Sequence, residues 1–401
     1  MFQAIRRAAG IAVVFTVILG LTACGKSAPP PAANTAAANL SGAPYTYHLI
    51  YTSLTNSPFP EMPHGAQLAV DEVNGTGGIN GHPLQLKTCP VNLDLNKAAS
   101  CARQAAADKS VIAANVFMGQ PEAVLDIFGK AGIPVISDYP IPLAQFSCQV
   151  CFPTSAGAFT SVAGEGLLAA TQLKAQRVSF VALDVPSSRG LASAVSQVLQ
   201  ATGHSTQVVK TVTVPLTAGD LSAQVTAASQ DVDAMLVTLT ADLLPRFMRT
   251  VQQLGIRVPV VTVPVDRKQI AQIGPPAEGM YHAGGYSHDS AGFKQFESAF
   301  SARYPDDPPS DVAYSIWLGA HLFQRVSKGQ PAVTRQSVLA ALGKLTSVDT
   351  GGAAPPLDFT RRFAGFGGKM PRLFNNTIVF YQVKNGAVSQ LSGFQQLIPT
   401  R

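Results

Sequence analysis

From Tyr45 onward, short apolar runs alternate with stretches whose apolar residues return every three or four positions. The runs "YTYHLIYT", "LQLKTC", "VIAANVF" and "IPVIS" predict strands. Between them the helical period predicts helices over 62–74, from about 95 to 108 and across "PEAVLDIFGKAG". A βαβαβαβ order implies a parallel sheet covered by helices on both faces. The rhythm then restarts with a helix over 157–173 and the strand "RVSFVAL". The next helix, 189–201, carries Leu191, Ala194, Val195, Val198 and Leu199 on one face. "TQVVKTVTV", a helix over 221–229, "DAMLVTL", a helix over 242–254 and "VPVVTV" continue the second series. Two α/β halves therefore follow one another and meet near "CFPTSAG". The tail adds helices over 291–303, 311–327 and 334–343, a Gly/Pro-rich stretch over 349–356, and a hairpin around Asn385-Gly386 in "NTIVFYQVKNGAVSQL". Two such sheets side by side leave a cleft at the carboxyl ends of their strands, where ligands bind in open α/β folds.

The stretch "AVDEVNGTGGINGHPLQL" raises the question of a phosphate-binding loop. Such loops follow a strand and open a helix, so that backbone N–H groups face the anion. Here Ala66, Ala69, Val70 and Val73 hold helical spacing before the glycines, and Pro83-Leu84-Gln85-Leu86-Lys87 alternates like a strand after them. The loop ends a helix, with Gly75, Gly77 and Gly78 as left-handed cap and Asn80-Gly81 as tight turn. This order excludes the phosphate loop.

The chain has 401 residues, 46% hydrophobic and 13% charged, enough for two cores and too apolar for a disordered chain. The formal charge is +6, of which Arg6 and Arg7 lie in a leader expected to be removed. No run of basic residues marks a nucleic-acid surface. Arg6-Arg7, the apolar run 11–21 and "LTACG" form a secretory leader whose apolar part is too short to span a bilayer. The tetrad Leu21-Thr22-Ala23-Cys24 resembles the bacterial lipobox, which implies cleavage before Cys24 and lipidation of its thiol. Residues 25–44, rich in Ala, Pro, Ser and Asn, read as a flexible spacer.

Four further cysteines remain, Cys89, Cys101, Cys148 and Cys151, and four allow three connectivities. In an exported protein structural disulfides are favoured, with Cys89–Cys101 joining a strand end to the next helix and Cys148–Cys151 closing a small loop. A thioredoxin-like pair at "CQVC" would open a helix after a strand, and this one lacks that context. A four-thiolate zinc site is the other alternative. "YSHDS" sets Ser287, His288 and Asp289 in succession, but a catalytic triad needs side chains converging from separate segments. No G-x-S-x-G or H-E-x-x-H is present, and "YPDDPPSD" reads as a turn into a helix capped by Ser310 or Asp311 rather than a calcium loop. No enzyme, cofactor or metal is expected.

The lipobox, "GAQLAVDEVNGTGGINGHPLQL", "AGIPVIS", "VLQATGH" and the late "FYQVKNGAV" together resemble the type I periplasmic binding proteins of ABC importers, in particular the leucine/isoleucine/valine-binding branch. The resemblance covers about 45–395. It implies an α/β fold of two doubly wound parallel-sheet lobes joined by three hinge crossings, near 152–155, 284–287 and 350–357. Lobe 1 would comprise 45–154 and 286–349, and lobe 2 would comprise 155–285 and 350–401, after a leader over 1–23 and a lipidated spacer over 24–44. In this branch a first-lobe disulfide is often found where Cys89 and Cys101 stand.

The same resemblance places the ligand among the loops after strands: 52–59, 117–120 and 137–139 in the first lobe, and 184–188, 240–242 and 264–267 in the second. The candidates are Phe59, Phe117, Met118, Gly119, Gln120, Ser137, Asp138, Tyr139, Ser188, Asp266 and, at a crossing, Tyr286. Members that bind amino acids hold the α-carboxylate with a Ser just before the glycine matched by Gly119; this chain has Met118 there. Asp138 adds a negative charge where that carboxylate would sit, and Asp266 is the candidate for an ammonium. Phe59, Phe117, Met118 and Tyr139 point to an apolar or aromatic solute, held by stacking or cation–π contact. The implied partners are a small-molecule solute and an importer permease, with the membrane met only through the lipid, and the chain is expected to be a monomer in the cell envelope. A ligand-sensing lobe pair that reports to a signalling protein is the alternative on the same fold.

Overall fold

A computed structural model describes residues 40–53, 59–185, 188 and 190–399. The leader, Cys24 and the spacer up to residue 39 lie outside the described residues, as do 54–58 of the first candidate loop. The first lobe opens with β1 (Tyr45–Thr52), α1 (Glu61–Gly75), β2 (Leu84–Val91), α2 (Leu95–Ala107), β3 (Val111–Phe117), α3 (Glu122–Ala131), β4 (Val135–Ile136), α4 (Ala144–Ser147) and β5 (Cys151–Phe152). These strands pair in the order β2-β1-β3-β4-β5, all parallel. The central β1 is buried along nearly its whole length, whereas β2 at the edge alternates and tolerates Pro90, which has no N–H to give to a neighbour.

The second lobe contains α5 (Gly157–Gln172), β6 (Arg177–Leu183), α6 (Leu191–Ala201), β7 (Gln207–Val214), α7 (Ser222–Ser229), β8 (Ala234–Thr238), α8 (Leu243–Gln253), β9 (Val260–Thr262), α9 (Arg267–Ile273) and β10 (Tyr281–Gly284). The chain returns to the first lobe for α10 (Ala291–Arg303), α11 (Asp311–Ser327) and α12 (Arg335–Leu342). It ends in β11 (Thr377–Lys384), β12 (Ala387–Gln390) and β13 (Gln395–Gln396). The second sheet runs β12-β11-β10-β9-β8-β6-β7, with β13 on β11; β6 to β10 are mutually parallel and β11 and β12 antiparallel. Each sheet is sandwiched between two apolar clusters, as helices on both faces require.

The turn that opened the question behaves as its residue order predicts. Gly75 is the last residue of α1 and is not left-handed, so only Gly77 and Gly78 of the three expected cap glycines take positive φ, and Asn80 (φ 53°) and Gly81 (φ 84°) form a hairpin turn closed between Ile79 and His82. A side chain at Gly78 would strike the His82 carbonyl. Ser310 caps α11 by accepting from the Ala313 amide at 3.2 Å. Five elements escape the periodicity: α4, β5, α9, β10 and β13. They are two to seven residues long, and β10 ("YHAG") owes its burial to the strands on either side.

The chain passes between lobes three times: between β5 and α5, between β10 and α10, and between α12 and β11. Val348 bridges Leu357, and Ala353, Leu357 and Phe359 pack in the first-lobe core, so the third passage lies between Phe359 and Thr377, beyond the 350–357 window. Both expected disulfides are formed, Cys89–Cys101 and Cys148–Cys151. Cys148 follows α4 and Cys151 opens β5, the reverse of the strand-then-helix context of a redox pair. No group of residues that could hold a metal occurs among the described residues.

Cys89–Cys101 closes a loop with a sequence separation of 12. Replacing both cysteines by Ala is expected to lower unfolding stability by about 3 kcal/mol, from the lost constraint on the unfolded chain. Urea unfolding of the oxidised proteins measures it.

Candidate functional site

The residues that follow β1, β3 and β4 stand at the carboxyl ends of the first parallel sheet, and those that follow β6, β8 and β9 at the carboxyl ends of the second, the ends at which open α/β folds bind ligands. Phe59 and Phe117 meet edge to face, with ring centroids 6.3 Å apart, and both are half-buried. Gly119 and Gln120 are exposed in the loop beyond. Met118 packs inward with Val116, Val124 and Val150 and is 2% exposed, so this position serves the first-lobe core. Ser188 is half-buried, its amide donating to the Val185 carbonyl at 3.1 Å.

Ser137 and Tyr286 lie in a fully buried network of hydroxyls at the first-lobe end of two passages. Ser137 Oγ shares a hydrogen bond with Thr154 Oγ1 at 2.6 Å, and Thr154 shares another with Tyr286 Oη at 2.6 Å. Tyr286 Oη also meets Ser315 Oγ at 3.1 Å, and Ser315 donates to the Ser137 carbonyl at 2.6 Å. Thr154 belongs to the first passage and Tyr286 to the second, so the network fastens two passages to each other and to α11. α11 comes this close to β4 because Gly319 has no side chain; a Cβ there would stand 2.5 Å from the Ile136 carbonyl. Ser137 itself holds a left-handed φ of 52°, an uncommon state for a residue with a side chain.

The second passage is braced further. Asp311 accepts from the Gly285 amide at 3.1 Å and pairs with His288 Nε2 at 2.6 Å, while Asn375 donates to the Gly285 carbonyl at 3.1 Å. His288 therefore pairs with a carboxylate from another segment, yet Ser287 donates its hydroxyl to Gln390 at 2.9 Å and forms no triad with that pair.

Carboxyl groups dominate the charge around the strand ends. Asp138 is fully buried; Gln145 donates to its Oδ2 at 2.6 Å, and Oδ1 has no hydrogen-bond partner among the described residues. Burial pushes its pKa up to about 7, against the opposing pull of Gln145, its backbone and Arg372. Arg372 lies over the rings of Phe152 (4.4 Å) and Phe374 (5.1 Å) and donates to the Cys151 carbonyl at 2.5 Å. Tyr139 is buried, which holds its phenol protonated well above the usual range, and its hydroxyl is hydrogen-bonded with Ser161 of α5.

Asp266 caps α9, accepting from the Gln269 amide at 2.9 Å, while Gln269 returns a side-chain oxygen to the Asp266 amide. Glu61, in the first turn of α1, is 9% exposed. Burial foremost, and then the charges of Asp266 and Asp307, push Glu61 up to about 7, while its own amide and Lys268 pull it down. Glu165 of α5 is fully buried; only Thr238 reaches it, at 3.4 Å, and burial raises its pKa well above the carboxylate range.

Sequence reasoning missed Glu61, Thr154, Ser161, Glu165, Ser315 and Arg372. Glu61 left one usable signal, an acid in the first turn of the helix that follows the first strand. Thr154 and Ser315 look like ordinary small polar residues until the second passage and α11 are brought together.

With this geometry in hand, the class is a two-lobed binding protein with a hinge of three passages. A family model described as periplasmic binding protein matches residues 50–387, and the chain belongs to that family. No curated protein matches the sequence. Among solved structures, the chain is similar to the branched-chain amino acid transporter substrate-binding protein LivJ of Streptococcus pneumoniae, in complex with isoleucine (19% identity, 87% of this chain and 99% of that one, TM-score 0.69). It is similar also to a leucine-binding protein of Thermotoga maritima (18%, 87% and 98%, 0.68) and to a fatty acid ABC transporter substrate-binding protein of Thermomonospora curvata (18%, 89% and 94%, 0.71). At these identities the likeness speaks for the fold. No helix among the described residues is long and apolar enough to cross a membrane.

Two outcomes are expected from these contacts. Tyr286→Phe removes the hydroxyl shared by Thr154 and Ser315 and should cost about 1–3 kcal/mol of unfolding stability, read from urea titration. Asp138 has its folded-state pKa raised to about 7. Between the ordinary carboxyl range and that value the native state binds more protons than the unfolded chain, so stability falls as pH rises from about 4 to about 7. Asp138→Asn should flatten that fall by an amount on the order of 1 kcal/mol or more, measured by urea unfolding at pH 4.5 and pH 8.

Proposed function

We propose that this protein is the membrane-tethered receptor of an ABC importer, lipidated at Cys24 and capturing a small organic solute between its lobes. The observation that carries the reading is the buried hydroxyl network of Thr154, Tyr286, Ser315 and Ser137. It fastens the passages to one another and leaves the strand ends of two lobes facing across a cleft. Solute touching both lobes favours the closed state, which the permease then recognises.

The solute we infer is an amino acid, an amide or an aromatic or apolar compound. Phe59 and Phe117 supply apolar rings on the first lobe, and Tyr139 supplies a phenol beside Ser161 of the second. Met118, at the position where amino-acid-binding relatives carry a hydroxyl, is turned into the core. Asp138 and Glu61, held toward their neutral forms by burial, are stabilised as carboxylates by a cationic solute group and made harder to ionise by an anionic one, so the reading favours a solute without a net negative charge. The solved relatives named for isoleucine, leucine and fatty acid define the first compounds to try.

The test is thermal unfolding of the chain from Ala28 onward, without the lipidated Cys24, against isoleucine, leucine, aromatic amino acids, short amides, a fatty acid and quaternary amines. A bound solute at 100 times its Kd should stabilise by about 2.7 kcal/mol. A shift with any of them supports a solute receptor, and a flat response across the whole panel counts against it. In cells, Cys24→Ala should move the protein from the membrane fraction to the soluble fraction, and mass spectrometry of the native N-terminus should show the acyl chains.

A further inference from the structure

Apart from the hinge, the two lobes touch along a second line. There α9 of the second lobe lies against the loop at 304–308 that joins α10 to α11 in the first. Arg267 Nη2 donates to the carbonyls of Pro305 at 2.5 Å and Asp307 at 2.7 Å. Lys268 Nζ stands 3.4 Å from Asp307 Oδ1. The other oxygen of Asp307 meets His64 Nδ1 of α1 at 2.5 Å, and His64 lies flat on Tyr304, with centroids 4.1 Å apart and planes 2° from parallel. Arg303 covers the Tyr304 ring at 5.5 Å and pairs with Asp71 of α1 at 2.5 Å. Asp307 is thus 8% exposed and held rigidly on its own lobe by α1, while two cations from the other lobe grip it.

Arg267 and Lys268 open α9, the helix that Asp266 caps, so their grip ties the start of α9 to the 304–308 loop of the first lobe. We propose that Asp307 with Arg267 and Lys268 forms an interlobe latch, which sets how readily the lobes stay together without solute. Arg267 and Lys268 are positioning residues here; they act on the contact between lobes and need not touch solute. The inference rests on the two-lobed family fold and is independent of which solute is bound.

Hydrogen exchange of the full-length, detergent-solubilised protein without solute reads the latch directly, since protection reports the free energy of local opening. In the double variant Arg267→Ala, Lys268→Ala, peptides covering 304–311 and the first turn of α9 should exchange about five- to tenfold faster, the scale of losing partly exposed charge-assisted contacts. Peptides from β2, β6 and β7, remote from the contact, should exchange as in the unmodified protein. Lys268→Arg, which keeps a cation at Asp307, should leave the 304–311 peptides unchanged. Unaltered exchange at 304–311 in the double variant overturns the proposal. So does a uniform rise across both lobes, because that would mean a weakened fold and not a released latch. No solute enters this measurement, so its failure is separable from a failure of the solute-receptor reading.

Discussion

Two of the passages between the lobes are anchored to the first lobe by four buried hydroxyls. Thr154, Tyr286, Ser315 and Ser137 have no access to water, and each is satisfied by another that arrives on a different segment. A buried polar group without a partner costs more than the bond it would make is worth, so the segments are held in one register. The apolar clusters above and below each sheet could not do this, because dispersion contacts are non-directional and belong to one lobe or the other. The unusual backbone of Ser137 and the bare face of Gly319 are local concessions to the same arrangement.

Around that fastening the protein gathers more buried acid than base. Asp138, Glu61 and Glu165 are held toward their neutral forms by burial, and Arg372 spends its guanidinium on a carbonyl and two rings. A site built this way has weak charge of its own but responds strongly to charge brought into it.

The fold was legible wherever burial is continuous. β1, β3, β6 and β8, together with α1, α2, α5, α8, α10 and α11, lie within a residue or two of where periodicity puts them. The short elements were not, because a two-residue strand such as β5 or β13 carries no period. Of the candidate residues, Phe59 meets Phe117 and Asp138 and Tyr139 stand just beyond β4, while Asp266 serves as the cap of α9. Met118 shows the limit. A loop position next to a glycine looks exposed in the sequence, and only packing reveals that its side chain turns under α3.

What the chain determined by itself is the alternation of strand and helix, the turn at Asn80-Gly81, the caps and the nearby cysteine pairs, all of which are set by contacts within about a dozen residues. The tertiary structure alone decided which hydroxyls meet at the hinge, and that Asp307 of one lobe is gripped by Arg267 and Lys268 of the other. Those partners lie tens to hundreds of residues apart in the chain. Their pairing follows from how the sheets are assembled, for which no local pattern of polar and apolar residues encodes a distance.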